Sequence, residues 1–147
     1  MSLVAYKDIL KTRAENIDFQ KDPIKEWVEE LTQAMIENNG VGIAGPQIGI
    51  NKQIAIVKND PINIVLLNPN IILRAQGYYR NKEGCLTIPG EIYKVARYKS
   101  IVYENHTKTG TSYTMSTNNK KLSACIQHEI DHLNGLCIKD KGKKYDI

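Results

Sequence analysis

The sequence predicts an α+β fold, with antiparallel β-sheets packed around a central helix that carries a His-Glu-x-x-His motif. Three observations predict it. Apolar residues recur at helical spacing near the start of the chain and again near its end. Between these stretches, β-type segments dominate, broken by turn residues. No internal repeat, low-complexity run or Pro/Gly/Ser-rich linker divides the chain, so residues 1–147 read as one domain.

The first helix is predicted over residues 23–39. Asp22 offers an N-cap and Pro23 suits the first helical position. Ile24, Trp27, Val28, Leu31 and Met35 form the stripe that seeks a core, and Gly40 stops the helix. A glycine-rich loop follows over residues 40–49. Strands are predicted over residues 53–58, 63–67, 70–76 and 92–95. Residues 100–104 and 111–115 read as a hairpin turning at Lys108, Thr109 and Gly110. Residues 122–134 return to helical spacing through Leu122, Cys125, Ile126, Ile130 and Leu133, and Gly135 ends the run.

Composition narrows the function classes. Hydrophobic residues are 41% and charged residues 24%, which excludes a disordered chain, a collagen and a simple coiled coil. No run approaches the ~20 apolar residues of a membrane span. The net charge of +4 comes partly from Lys139, Lys141, Lys143 and Lys144, and residues 139–147 read as a short, solvated basic tail. Met1 to Ala5 lack the basic start and apolar core of a secretory leader, so the chain is expected inside the cell. There Cys85, Cys125 and Cys137 are expected as thiols, one of them available as a ligand.

The chemistry is concentrated in His128-Glu129-Ile130-Asp131-His132. Two of three histidines lie four residues apart on a predicted helix, so both imidazoles leave one face a turn apart. That spacing can seat two nitrogens on one metal ion, with Glu129 beside them as a general base. A catalytic site of this type needs a third protein ligand. A downstream Glu, as in thermolysin-like peptidases, is absent from the fifteen residues after His132. The third histidine of metzincins would fall at position 138, which is Ile138. His106 and the three cysteines remain as donors. Cys85 stands in Glu83-Gly84-Cys85-Leu86-Thr87, where the glycine allows close backbone approach, and its thiolate would complete a Cys-His-His set.

Three motifs in this order resemble the peptide deformylase family. They are Gly40-Val41-Gly42-Ile43-Ala44-Gly45-Pro46-Gln47, Glu83-Gly84-Cys85-Leu86-Thr87, and Gln127-His128-Glu129-Ile130-Asp131-His132. Gly45 replaces an alanine of the family pattern, a change expected to loosen the loop, and Thr87 replaces a serine. The resemblance implies a metal-dependent hydrolase that removes the N-formyl group from the initiator N-formylmethionine of nascent polypeptides and releases formate. Cys85, His128 and His132 would hold one divalent ion. That ion is Fe2+ in the cell by resemblance, and Zn2+, Ni2+ or Co2+ suit the same donors. Glu129 would be the base, with the Gln47 amide and the Leu86 N–H facing the developing oxyanion.

The resemblance also implies that substrate backbone pairs near Val41, Gly42 and Gly84. Ile43, Cys125 and His128 are expected to border the methionine pocket, and Lys121 its exposed rim. Asp131 and Glu83 are the carboxylates available to orient the ligand histidines, and Arg97 can pair with either. N-formylmethionyl peptides are the expected partners, with no membrane and no second subunit. The ribosome near the exit tunnel is a further one, though longer members dock there through a C-terminal helix that this chain lacks. The expected compartment is the cytoplasm of a bacterium or phage host, with organelles a further source. Two rival readings are a metallopeptidase of another class and a relative that binds metal or formyl-peptides without turnover.

Overall fold

The computed structural model describes residue 3 and residues 8–145. The rest of the Met1–Ala5 segment and the last two residues of the expected tail lie outside them. Helix α1 runs Ile24–Glu37. Its stripe packs as expected: Ile24, Leu31 and Met35 are buried, with Trp27 and Val28 against the same cluster. The start of the helix differs from the expectation. Pro23 is itself the cap residue, and no side chain caps the helix. The Asp22 carboxylate instead accepts from the Asp18 N–H at 2.8 Å and pairs with Lys52 at 3.3 Å. A distant lysine and a local turn have captured the capping side chain.

Strands β1 (Gly42–Ala44), β2 (Ile54–Val57) and β3 (Ile64–Leu67) form one antiparallel sheet in that order. A 3-10 turn, Gly45–Ile48, joins β1 to the next segment. Strand β4 (Asn70–Cys85) and strand β5 (Ile88–His106) form a long ribbon, far longer than the segments predicted within them. Register shifts between Ala75 and Tyr78, and between Glu83 and Cys85, bend the ribbon without ending it. These irregularities blur the period-two pattern, which is why the sequence yields fragments. The predicted hairpin is present: β5 turns at residues 107–111 into β6 (Ser112–Thr117).

Helix α2 runs Lys120–Leu133 and holds the two sheets together. Ile126, Ile130 and Leu133 share one buried cluster with Ala44, Ala55 and Leu66 of the first sheet and Ile101 and Tyr103 of the second. It begins two residues before the predicted start because the Asn119 side chain accepts from the Lys121 and Leu122 N–H groups, each at 3.1 Å. No helix among the described residues is long and apolar enough to cross a membrane.

The expected solvated tail is folded. A short helix, α3 (Ile138–Lys141), leads into β7 (Gly142–Lys144), which pairs antiparallel with β5. Cys137 and Ile138 anchor it by packing with Ile88, Tyr93 and Val95. Three of its four lysines are spent locally: Lys139 and Lys144 approach Glu91, and Lys141 reaches Asp131. Charge composition alone cannot show such pairing.

Candidate active site

The site forms where the end of β4 meets α2. Cys85 closes β4, and His128, Glu129 and His132 project from α2 toward it. Cys85 Sγ lies 3.3 Å from His132 Nε2, which lies 3.2 Å from His128 Nε2. The donor atoms of Cys85, His128 and His132 all fall within 4.8 Å of one another. His128 Nδ1 meets Glu83 Oε1 at 2.8 Å, where the ring N–H donates to the carboxylate and the ring is turned so that Nε2 faces His132. His132 Nδ1 is buried without a hydrogen-bond partner.

Three electron-pair donors therefore converge on one point, where they repel unless a proton or cation lies between them. Metal bonds of ~2.0–2.3 Å in tetrahedral geometry would separate such donors by about 3.3–3.6 Å. The observed spacings and the thiolate–imidazole chemistry fit a divalent ion. His106 is elsewhere, with Nδ1 2.9 Å from the Leu67 carbonyl and its ring against Phe19. Cys137 is a buried core residue.

Electrostatics follow from burial and pairing. Burial pushes the Cys85 thiol up, but its hydrogen bonds with His128 and His132 outweigh that and hold it at about 5. Burial likewise disfavours charged His128, yet Cys85 and Glu83 raise it to about 10. Cys125 behaves oppositely: burial first, then the charge of Glu129, lift its thiol to about 11. Burial also works against ionised Glu83, but the Arg97 and His128 hydrogen bonds hold it at about 2.

Arg97, whose side chain is 2% exposed, pairs with both of the carboxylates expected for it. It donates Nε and Nη2 to Glu83, both at 2.8 Å, and Nη1 to Asp131. One buried cation thus serves both motif carboxylates. Gln127 fastens the helix to β5: its amide accepts from the Tyr98 N–H and donates to the Tyr98 carbonyl. Its place inside the third motif was the available signal. The Lys141–Asp131 contact, at 3.3 Å, had no signal in the sequence.

Glu129 lies between the two histidines on α2. It is 4% exposed, and its Oε1 has no partner. Burial raises its pKa, against the lowering pull of both histidines. Gly42 makes this possible, because a Cβ there would stand 2.5 Å from Glu129 Oε2. The Gln47 carbonyl accepts from the Ala44 N–H at 2.9 Å, which turns its amide nitrogen toward Cys85 Sγ, 3.5 Å away. Thr87 Oγ1 lies 3.2 Å from the same sulfur, so the hydroxyl shared by serine and threonine is used. Gly45 does not loosen the loop: a Cβ would meet the Ile50 carbonyl at 2.7 Å and Ile54 Cγ2 at 2.9 Å.

A cleft of about 370 Å³ opens over these groups, with Val41, Gly42, Gly84, Leu86, Cys125 and Glu129 on its walls. Lys121 is exposed, as expected, and lies in the first turn of α2. Ile43 is a correction. It is fully buried with Leu31, Met35 and Ile56, on the opposite side of β1 from Gly42. All three β1 residues are buried, so alternation in the sequence could not assign the faces.

Comparison with known proteins agrees with this geometry. The Polypeptide deformylase family profile matches residues 2–146. A peptide deformylase from Borreliella burgdorferi is 35% identical over 143 residues, covering 95% of this chain and 86% of that protein. One from Finegoldia magna is 36% identical, covering 90% and 83%. The Synechococcus elongatus peptide deformylase structure in complex with actinonin superposes with a TM-score of 0.90 at 30% identity, over 97% of this chain and 79% of that one. A deformylase from a Vibrio parahaemolyticus bacteriophage gives 0.85 at 29% identity, over 94% and 100%. By sequence along nearly its whole length and by fold, the chain belongs to the peptide deformylase family.

Proposed function

We propose that this deformylase removes the formyl group from N-formylmethionyl peptides with Glu129 as general base, Gln47 and the Leu86 N–H as oxyanion donors, and Cys85, His128 and His132 as metal ligands. The enzyme is metal-dependent; ferrous iron is the ion proposed for the cell, and zinc, nickel or cobalt would suit the same donors. When bound, the metal polarises the formyl oxygen and lowers the pKa of water from ~15.7 toward ~7.

The chain's own residues do the rest. Val41, Gly42 and Gly84 line the cleft, the two glycines within strands, and their main chain can pair with that of the substrate. Cys125, held as a neutral thiol, adds a soft apolar wall suited to a methionine side chain. Glu129 takes the proton of the attacking water and passes it to the departing amine as the formyl C–N bond breaks. Formate and a free amino terminus result. The Gln47 amide and the Leu86 N–H stabilise the negative charge on the formyl oxygen; losing one such donor typically costs ~10²–10³ in rate.

The observation that carries this assignment is Glu129 itself: buried, with a free carboxylate oxygen and a raised pKa, against the bare backbone of Gly42. Glu129→Gln should keep the metal and lose at least ~10²-fold in formate release from a formyl-Met peptide. Metal analysis beside the formate assay checks it. Loss of the metal, or near-native turnover, would show the base assignment to be wrong.

A further inference from the structure

The outward face of the β4–β5–β7 sheet carries a second feature, which meets the catalytic cleft at Lys82 and runs away from it. Pairing is unbroken from Tyr78 to Glu83, so directly opposed residues share a face and alternate residues repeat it. Three rungs follow one another: Tyr78 opposite Tyr98, Arg80 opposite Ala96, and Lys82 opposite Lys94. Strand β7 extends the last rung, because Lys94 is also opposite Lys143. Three lysines thus stand in one row on three adjacent strands, about 4.8 Å apart.

This arrangement breaks a local rule. Like charges directly opposite one another destabilise a sheet. No ion pair relieves Arg80, Lys82, Lys94 or Lys143 among the described residues, whereas Lys52, Lys139, Lys141 and Lys144 all approach carboxylates. The Tyr145 ring sits among the lysines, with Lys82 Nζ 4.2 Å and Lys94 Nζ 5.0 Å from its centre. Its phenol is lowered by the Lys82 hydrogen bond and then by the Lys82 and Lys94 charges, which is how a group in a positive field responds. At the other end of the patch Tyr78 is 60% and Tyr98 37% exposed, edge-on to each other at 6.4 Å.

We propose that this face binds a single strand of nucleic acid. Four cations with no carboxylate partner among the described residues track a phosphate backbone, and exposed tyrosines on the same sheet face offer stacking platforms for unpaired bases. An anionic membrane would satisfy the lysines, but the exposed large side chains of the patch are two tyrosines, whose hydroxyls stay polar and whose rings suit base stacking. A duplex would satisfy the charges and leave the tyrosines without bases to stack on.

The test uses the whole enzyme and a fluorescent 12-nucleotide single-stranded RNA, read by anisotropy across salt concentrations. The logarithm of the binding constant should fall with log salt at a slope near −3, about 0.7 for each of four cations. Arg80→Gln/Lys94→Gln/Lys143→Gln should bring the slope near −1, while formate release from a formyl-Met dipeptide stays unchanged and confirms folding. Lys94→Arg/Lys143→Arg should bind as well as the native chain. Tyr78→Ala should weaken binding about five- to a hundredfold without changing the slope. No binding at 50 mM salt, binding indifferent to the triple substitution, tighter binding to the matching duplex, or capture by phosphatidylserine vesicles in place of the RNA would each overturn the proposal.

Discussion

On the inward face of the β4–β5 ribbon, Arg97 meets Glu83 twice at 2.8 Å and also holds Asp131. One residue away on β4, on the outward face, Lys82 stands opposite Lys94 with no carboxylate between them. The two faces share backbone, register and twist, yet handle charge oppositely. Inward charge is dehydrated and must be compensated atom by atom, because an unpaired buried ion costs several kcal/mol. Outward charge keeps its water, so repulsion costs little and an uncompensated row survives. Charge inside the ribbon therefore reports on positioning of the catalytic groups, and charge outside it on what the molecule can meet.

The largest expected effect removes the inward compensation. Arg97→Met keeps the bulk of the side chain but leaves Glu83 and Asp131 buried without their cation. It should cost about 3–5 kcal/mol of unfolding free energy. Glu83 would then lose its strongest stabilising partner and bind a proton more readily, weakening its grip on His128 Nδ1. Metal affinity should fall roughly 10–100-fold with it. Denaturant unfolding and metal titration measure the two effects. A loss below about 1 kcal/mol with unchanged affinity would break the comparison, since inward charge would then need no partner.

A second test stays on the inward side and separates two cysteines. Cys85→Ser replaces a thiolate held beside two imidazoles with a poor ligand, so metal affinity should fall at least ~100-fold. Cys125 lies one turn before His128, but its thiol is pushed up to about 11, and Cys125→Ser should keep the metal. Metal content of the two purified variants decides. If Cys125→Ser alone strips the ion, the wrong sulfur has been assigned.

How far the sequence reached follows the same division. The convergence of Cys85, His128 and His132, with Glu129 and Gln47 beside them, was legible because each sits in a short motif whose spacing has a mechanical meaning on a helix or tight turn. The α+β class was legible because helical periodicity occurs twice, at the two ends of a β-rich stretch. Ile43 was misplaced because β1 is too short and too buried for alternation to show its faces. The tail was misread because a lysine's partner, such as Glu91 for Lys139 or Asp131 for Lys141, is set by tertiary pairing. The outward lysine row was invisible for the same reason: Lys82, Lys94 and Lys143 are remote in sequence and meet only through the register of three strands.

A smaller effect is expected at the turn that aims Gln47. Gly45→Ala forces a methyl against the Ile50 carbonyl and Ile54, at separations that backbone atoms do not tolerate. Overpacking of this kind costs about 1–3 kcal/mol. Because Gln47 is two residues away in the same 3-10 turn, kcat should fall while metal content holds. Unchanged stability and kcat would show that the turn relaxes freely and that its close packing is not needed to orient the amide.

The smallest effect belongs to the outward face and runs in the opposite direction. Lys94 is the middle cation of the row, opposite Lys82 on one side and Lys143 on the other, so Lys94→Gln removes both repulsive pairs at once. Cross-strand pairs of exposed charges are weak, and the substitution also removes one of the two ammonium contacts to the Tyr145 ring. The net gain should be a rise in Tm of about 1 °C at low salt. It should vanish near 1 M salt, where the Debye length is only ~3 Å and the row is already screened. Thermal unfolding of the metal-loaded protein at the two salt concentrations measures it, and formate release should be unaffected. A fall in Tm at low salt would mean that the Tyr145 contact outweighs the repulsion. The outward row would then be compensated after all, by an aromatic face in place of a carboxylate, and the two sides of the ribbon would differ in the kind of partner they use.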